Sequence, residues 1–123
     1  MESQRYSEGF RSLIVWREAH ALAIIIYKLT RSFPSDERFG IISQLRRASS
    51  SVGAQIAEGS RMSSSAHRKI YYERAYASNA EVDNFLELSF DLGYLDSSLY
   101  QSTLSAINRV GFLLKKIIGT LLK

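Results

Sequence analysis

Apolar residues recur along this chain at alternating steps of three and four. Val15, Ala19, Leu22, Ile26, Leu29 and Phe33 form the first such series. A helix of 3.6 residues per turn gathers those positions into one stripe. Pro34 closes this helix, because the residue before a proline avoids the helical region. Ser35, Asp36 and Glu37 follow as a cap and early acids suited to a helix start. Ile41, Leu45, Ala48, Val52 and Ile56 predict a second helix, with Gly59 as its left-handed terminator. Gly53 lies inside it and costs about 1 kcal/mol relative to alanine, which points to close helix packing there.

Ser63, Ser64 and Ser65 are alternative caps for a third, long helix. Its predicted seam runs through Ile70, Ala77, Val82, Phe85, Leu88 and Leu92 to a terminating Gly93. Asp96 caps the fourth helix. Its seam is the most regular: Tyr100, Thr103, Ile107, Val110, Leu114, Ile117 and Leu121. No strand-like alternation competes. The predicted connections, 33–36, 59–64 and 93–96, are short, so successive helices lie antiparallel. The fold class is all-α, an up-down-up-down four-helix bundle over residues 13–123. Residues 1–12 have no period and are expected to be a flexible arm. The apolar stripes are wider than one core needs: Trp16, Ile24, Ile25, Tyr27, Leu86, Phe90, Leu104, Leu113, Ile118 and Leu122 are surplus. Surplus apolar surface predicts a homo-oligomer.

Composition narrows the class. The 123 residues include no cysteine, which excludes disulfides, thiol catalysis and cysteine-ligated metals. The longest apolar run, Ala21 to Tyr27, is far below the ~20 residues of a membrane span. The N-terminal stretch has no apolar core of the signal-peptide kind. A cytoplasmic protein without membrane association is the expectation.

Charge is segregated along the chain. Residues 38–74 hold seven basic residues against Glu58 and Glu73. Residues 75–108 hold five acids (Glu81, Asp83, Glu87, Asp91 and Asp96) and no base. Residues 109–123 hold Arg109, Lys115, Lys116 and Lys123 and no acid. Either these segments neutralise one another, or the basic block forms an outward patch for a polyanion.

The search for catalytic chemistry is negative. His20 and His67 lack the Glu-x-x-His spacing of di-iron bundles. No nucleophile elbow and no phosphate loop occurs. Carboxylates such as Glu58, Glu73 and Glu81 read as structural partners for arginine. No catalytic residue, metal or cofactor is expected. Binding has a better candidate. Arg61, Arg68 and Lys69, with the serines at the start of the third helix, suit an anion site; the alternative is that the serines only cap, the tyrosines pack at an interface and the basic groups are solvated. Arg46 and Arg47 extend it if they face the same way. Tyr72 and Tyr76 share a face with Arg68 and offer stacking surfaces for bases.

Four stretches carry a family resemblance. They are Leu45–Ala48 (LRRA), Ser51–Gly59 (SVGAQIAEG), Tyr76–Glu81 (YASNAE) and Leu92–Leu95 (LGYL). With Val15–Ala19 upstream and Phe33–Pro34 with Glu37, they resemble the bacterial four-helix-bundle family. That family includes the proteins encoded in intervening sequences of 23S ribosomal RNA genes. A related branch is the accessory protein of diversity-generating retroelements. The family usually has Asn at the position of Gln55 and often Pro at that of Gly53. The resemblance implies a ring-shaped homopentamer. In the retroelement branch it implies binding of nucleic acid and a reverse transcriptase.

The functional expectation is a non-enzymatic bundle binding structured RNA or other nucleic acid, with Arg46, Arg47, Arg61, Arg68 and Lys69 on phosphates. The alternative is a protein-interaction scaffold, for example for a polymerase, docking through Glu81, Asp83, Glu87 and Asp91.

Overall fold

The computed structural model describes residues 8–121. Four helices make up the fold: α1 (Ile14–Thr30), α2 (Ile41–Ser60), α3 (Ser65–Asp91) and α4 (Ser97–Leu121). Each packs on its sequence neighbour, and α1 also packs on α4, which closes the bundle. The expected up-down-up-down topology is therefore present, with no strand among the described residues.

The core follows the predicted seams on three helices. Val15, Ala19, Leu22, Ile26 and Leu29 of α1 are buried, as is Phe33 beyond its end. Ile41, Leu45, Ala48, Val52 and Ile56 of α2 meet them, with Thr103, Ile107, Val110 and Leu114 of α4. Helix α3 departs from expectation. Ile70, Ala77, Leu88 and Leu92 are exposed. Its buried face is Tyr72, Ala75, Ser78, Asn79, Val82, Leu86 and Ser89. Three of those seven residues are polar, so hydrophobicity alone misplaces the face. Small polar groups are tolerated there because they find local partners. Ser89 Oγ donates to Phe85 O at 2.6 Å, and Ser51 and Ser78 hydroxyls bond across α2 and α3 at 3.0 Å.

The helix ends explain the register. Ser64 caps α3, accepting from His67 N at 3.2 Å. Gly93, at φ 79°, ends it. Tyr94 N donates to Ser89 O and Gly93 N to Phe90 O, the paired bonds of a Schellman motif. Asp96 caps α4, accepting from Leu99 N at 2.8 Å. Residues Ser35–Glu37 form a 3₁₀ turn instead of the first turn of α2. Glu37 still serves the helix start: Oε1 accepts from Ile41 N at 3.3 Å, and Oε2 from Tyr94 OH at 2.7 Å.

Gly59 is not the left-handed terminator predicted for α2; its φ is helical and the helix runs on to Ser60. A Cβ there would lie 2.9 Å from Tyr71 Cβ. The close approach expected at Gly53 is thus found at Gly59. At Gly53 a Cβ would meet only the Trp16 ring, nearest at Nε1, at an ordinary 3.5 Å. The N-terminal arm is described only from Glu8. Gly9–Ser12 form a 3₁₀ turn, and Phe10 packs edge-on against Trp16 at 5.0 Å between ring centroids.

Candidate nucleic-acid interface

The five predicted phosphate ligands do not form one patch. Arg61, Arg68 and Lys69 sit at the end of the bundle where α2 turns into α3. Arg46 lies 15 residues before Arg61, which is roughly 22 Å along a helix at 1.5 Å per residue. Adjacent helical positions also point about 100° apart, so Arg46 and Arg47 diverge. Arg46 turns to α1: Nε donates to Thr30 Oγ1 at 2.9 Å, Nη2 to Tyr27 O at 3.3 Å, and the guanidinium covers the Tyr27 ring at 4.8 Å. Arg47 turns to α3, pairing with Glu81 while also donating to Gln44. Both are bundle fasteners, and the extended patch is not formed.

At the α2–α3 turn the remaining three differ in availability. Arg68 braces the turn itself, donating to Met62 O at 3.0 Å, Ser63 O at 3.3 Å and Ser65 Oγ at 3.2 Å. Arg61 is exposed and lies beside Gly9. Neither Arg61 nor Lys69 has an ion-pair partner among the described residues. The predicted tyrosine stack beside Arg68 is absent. Tyr72 is buried in the core, and burial pushes its phenol above the ordinary value, against a lowering by Arg68. Tyr71 is covered by Arg74 at 5.1 Å. Tyr76 alone is well exposed, and it faces the groove between α3 and α4.

Antiparallel packing turns the charge blocks into an axial gradient. The half of the bundle at the α2–α3 turn comprises residues 8–22, 51–78 and 109–121. It carries nine basic and four acidic side chains, net +5. The opposite half, residues 23–50 and 79–108, carries five basic and seven acidic, net −2. The acids there are partly engaged. Glu81 holds Arg47, and Glu87 accepts from Tyr100 OH. That bond, ahead of desolvation and the Glu87 charge, pushes the Tyr100 phenol up to about 12. Of the four acids proposed as a docking face, Glu81 thereby turns toward α2, whereas Glu87, Asp83 and Asp91 all act on Tyr100 of α4.

No group of three or more potential metal ligands occurs among the described residues. His20 stacks on Trp16 at 4.6 Å. Glu58 and Glu73 are exposed. No described helix is long and apolar enough to cross a membrane.

Two features escaped the sequence reading. The first is a groove of about 560 Å³ between α1 and α2. Trp16, His20, Ile24 and Tyr27 wall one side, and the small residues Ser50, Gly53, Ala54 and Ala57 the other. Its signal was the clustering of small residues on α2. The second is a pocket of about 330 Å³ between α3 and α4, around Asn79. Asn79 Nδ2 donates to Ile107 O at 3.0 Å, and its Oδ1 is buried without a partner. Gln55 Oε1 is buried and unpartnered too. Asn79 sits inside the YASNAE string, which marked the position but not its role.

Comparison with known proteins agrees with this architecture. Residues 11–116 match the family described as 23S rRNA-intervening sequence protein. A crystal structure of a protein of unknown function from the S23 ribosomal protein family of Bacteroides thetaiotaomicron superposes with a TM-score of 0.77. It is 25% identical, and the match covers 85% of this chain and 98% of that one. No curated protein matches. The chain belongs to the 23S rRNA-intervening sequence protein family.

Proposed function

We propose that this member of the 23S rRNA-intervening sequence protein family is a non-enzymatic, self-associating bundle that binds structured RNA at its cationic end. The observation that carries the reading is the axial charge gradient, with Arg61 and Lys69 uncommitted at the α2–α3 turn. Contacts of this kind read phosphates and shape, and tolerate sequence. Arg68 contributes by holding the turn, and Arg46 and Arg47 by holding the bundle. The acidic-face scaffold is the weaker reading, because Glu81 and Glu87 already have partners within the bundle.

Self-association is supported by the α1–α2 groove and by the exposed apolar residues beside it, among them Ile24 and Tyr27. It would bring several cationic ends into one particle. The test is fluorescence anisotropy with a labelled structured RNA across a salt series. Binding should weaken steeply with salt, and the paired change Arg61→Ala with Lys69→Ala should shallow the log–log slope by roughly one to two. Arg47→Ala should leave that slope unchanged. Absence of binding at low salt overturns the reading.

A further inference from the structure

We propose that the pocket between α3 and α4 is a nucleotide subsite that takes one unstacked guanine base with its phosphate. The proposal rests on the RNA reading above and adds to it a base-reading element on the α3–α4 face, away from the α2–α3 turn. Four observations carry it. Gly111 leaves the pocket open beside Asn79: a Cβ there would lie 3.3 Å from Asn79 Nδ2. Its rim is aromatic, with Tyr76 42% and Phe112 61% exposed. Exposed aromatic faces flanking a slot suit a planar ring, since base–aromatic stacking is the common currency of single-strand recognition. Asn79 is only 5% exposed, lines the pocket, and leaves Oδ1 without a hydrogen-bond partner. A buried acceptor left open is costly, and the guanine N2–H that points away from the Asp83 carboxylate relieves it.

The fourth observation is charge order. Asp83 lines one end of the pocket and Lys115 the other, and neither has an ion-pair partner among the described residues. Tyr76 and Asp83 are seven residues apart, roughly 10 Å along α3. Lys115 lies toward the cationic end of the bundle, with Tyr76 and the exposed Glu73 lining the same hollow. A nucleotide has the matching polarity. Its phosphate meets Lys115, and its base edge reaches Asp83. Guanine presents adjacent N1–H and N2–H donors that fork onto one carboxylate. Uracil presents a single N–H between two carbonyl oxygens, which a carboxylate repels.

The same chemistry is offered by a free mononucleotide and by a guanine splayed from an RNA loop. Calorimetric titration of the full chain with GMP, guanosine and UMP addresses the first. Titration with hairpins carrying G or U in the loop addresses the second. GMP should bind at least tenfold tighter than UMP. Asp83→Asn should weaken GMP about tenfold. Lys115→Ala should remove the advantage of GMP over guanosine. Both changes lie outside the core, and circular dichroism melts verify that each variant is folded. Equal binding of GMP and UMP, or indifference to Asp83→Asn in a folded protein, overturns the pocket. If the hairpins bind and Asp83→Asn leaves their affinity and base preference unchanged, the pocket falls and the RNA reading stands. If GMP binds as described and neither hairpin does, the pocket stands for free nucleotide and the RNA reading falls.

Discussion

Single residues show how the same amino acid takes opposite roles. Gly53 and Gly59 sit six residues apart on α2, both at helical φ. At Gly53 an added Cβ makes an ordinary contact with Trp16, so Gly53→Ala should stabilise the fold by up to about 1 kcal/mol through helix propensity. At Gly59 the new Cβ would collide with Tyr71 Cβ, an atom fixed to the α3 backbone. Gly59→Ala should therefore destabilise by roughly 1–3 kcal/mol, as overpacking does. Urea melts of the two variants, moving in opposite directions, check the pair. Tyr100 supplies a second residue-scale test. Its bond to Glu87 favours the neutral phenol, so the folded pKa, about 12, lies above the ordinary 10.0. A raised pKa gives stability that is complete below pH 10 and is lost as pH climbs toward 12. Ultraviolet titration of phenolate should show Tyr100 ionising late together with Tyr72 and Tyr94, whose phenols are also raised, and Glu87→Gln should return the Tyr100 share toward 10. An unshifted titration curve in Glu87→Gln contradicts the assignment.

At the scale of elements, α3 is where period and burial part company. Leu86 is fully buried and Leu88 is 42% exposed, although both are apolar and only two residues apart. Leu86→Ala should cost roughly 2–5 kcal/mol, and Leu88→Ala about 0.5 kcal/mol or less. Thermal melts giving the reverse order would place the other face of α3 in the core. The topology, three of four core faces, a serine cap within 63–65 and the cap at Asp96 were legible in the sequence, because spacing and cap chemistry are local; which of the three serines caps was not. The face of α3 was not, because Ser78, Asn79 and Ser89 owe their burial to partners on the same or neighbouring helices. The candidate interface divided in the same way. Arg61 and Lys69 stand where the turn predicted them. Arg46 and Arg47 were assigned by charge, and charge cannot say whether Thr30 or Glu81 waits across a helix pair. The pocket at Asn79 needed two helices in register before a glycine on one and an amide on the other became one site.

For the whole molecule, antiparallel order converts a linear charge pattern into a polar object. The basic blocks fall together because α2 ends, α3 begins and α4 ends at the same pole. A net charge of +4 spread evenly would be a weak attractant; +5 at one pole is a directed one. The proposed association would multiply that pole if the surface joining the subunits lay elsewhere, and the α1–α2 groove is lined by different residues from those at the α2–α3 turn. Ala54 is exposed on the floor of that groove. Glutamate there keeps helix propensity but places a charge in an apolar contact. Ala54→Glu should thus leave the monomer folded, shift the mass by light scattering from oligomer to monomer, and lower RNA affinity although no phosphate ligand has changed. The salt slope should fall with it, because fewer cationic poles engage each RNA. A wild-type chain that is already monomeric removes the groove as an interface. An Ala54→Glu monomer with undiminished affinity and slope shows that one pole suffices and that assembly serves something other than RNA binding.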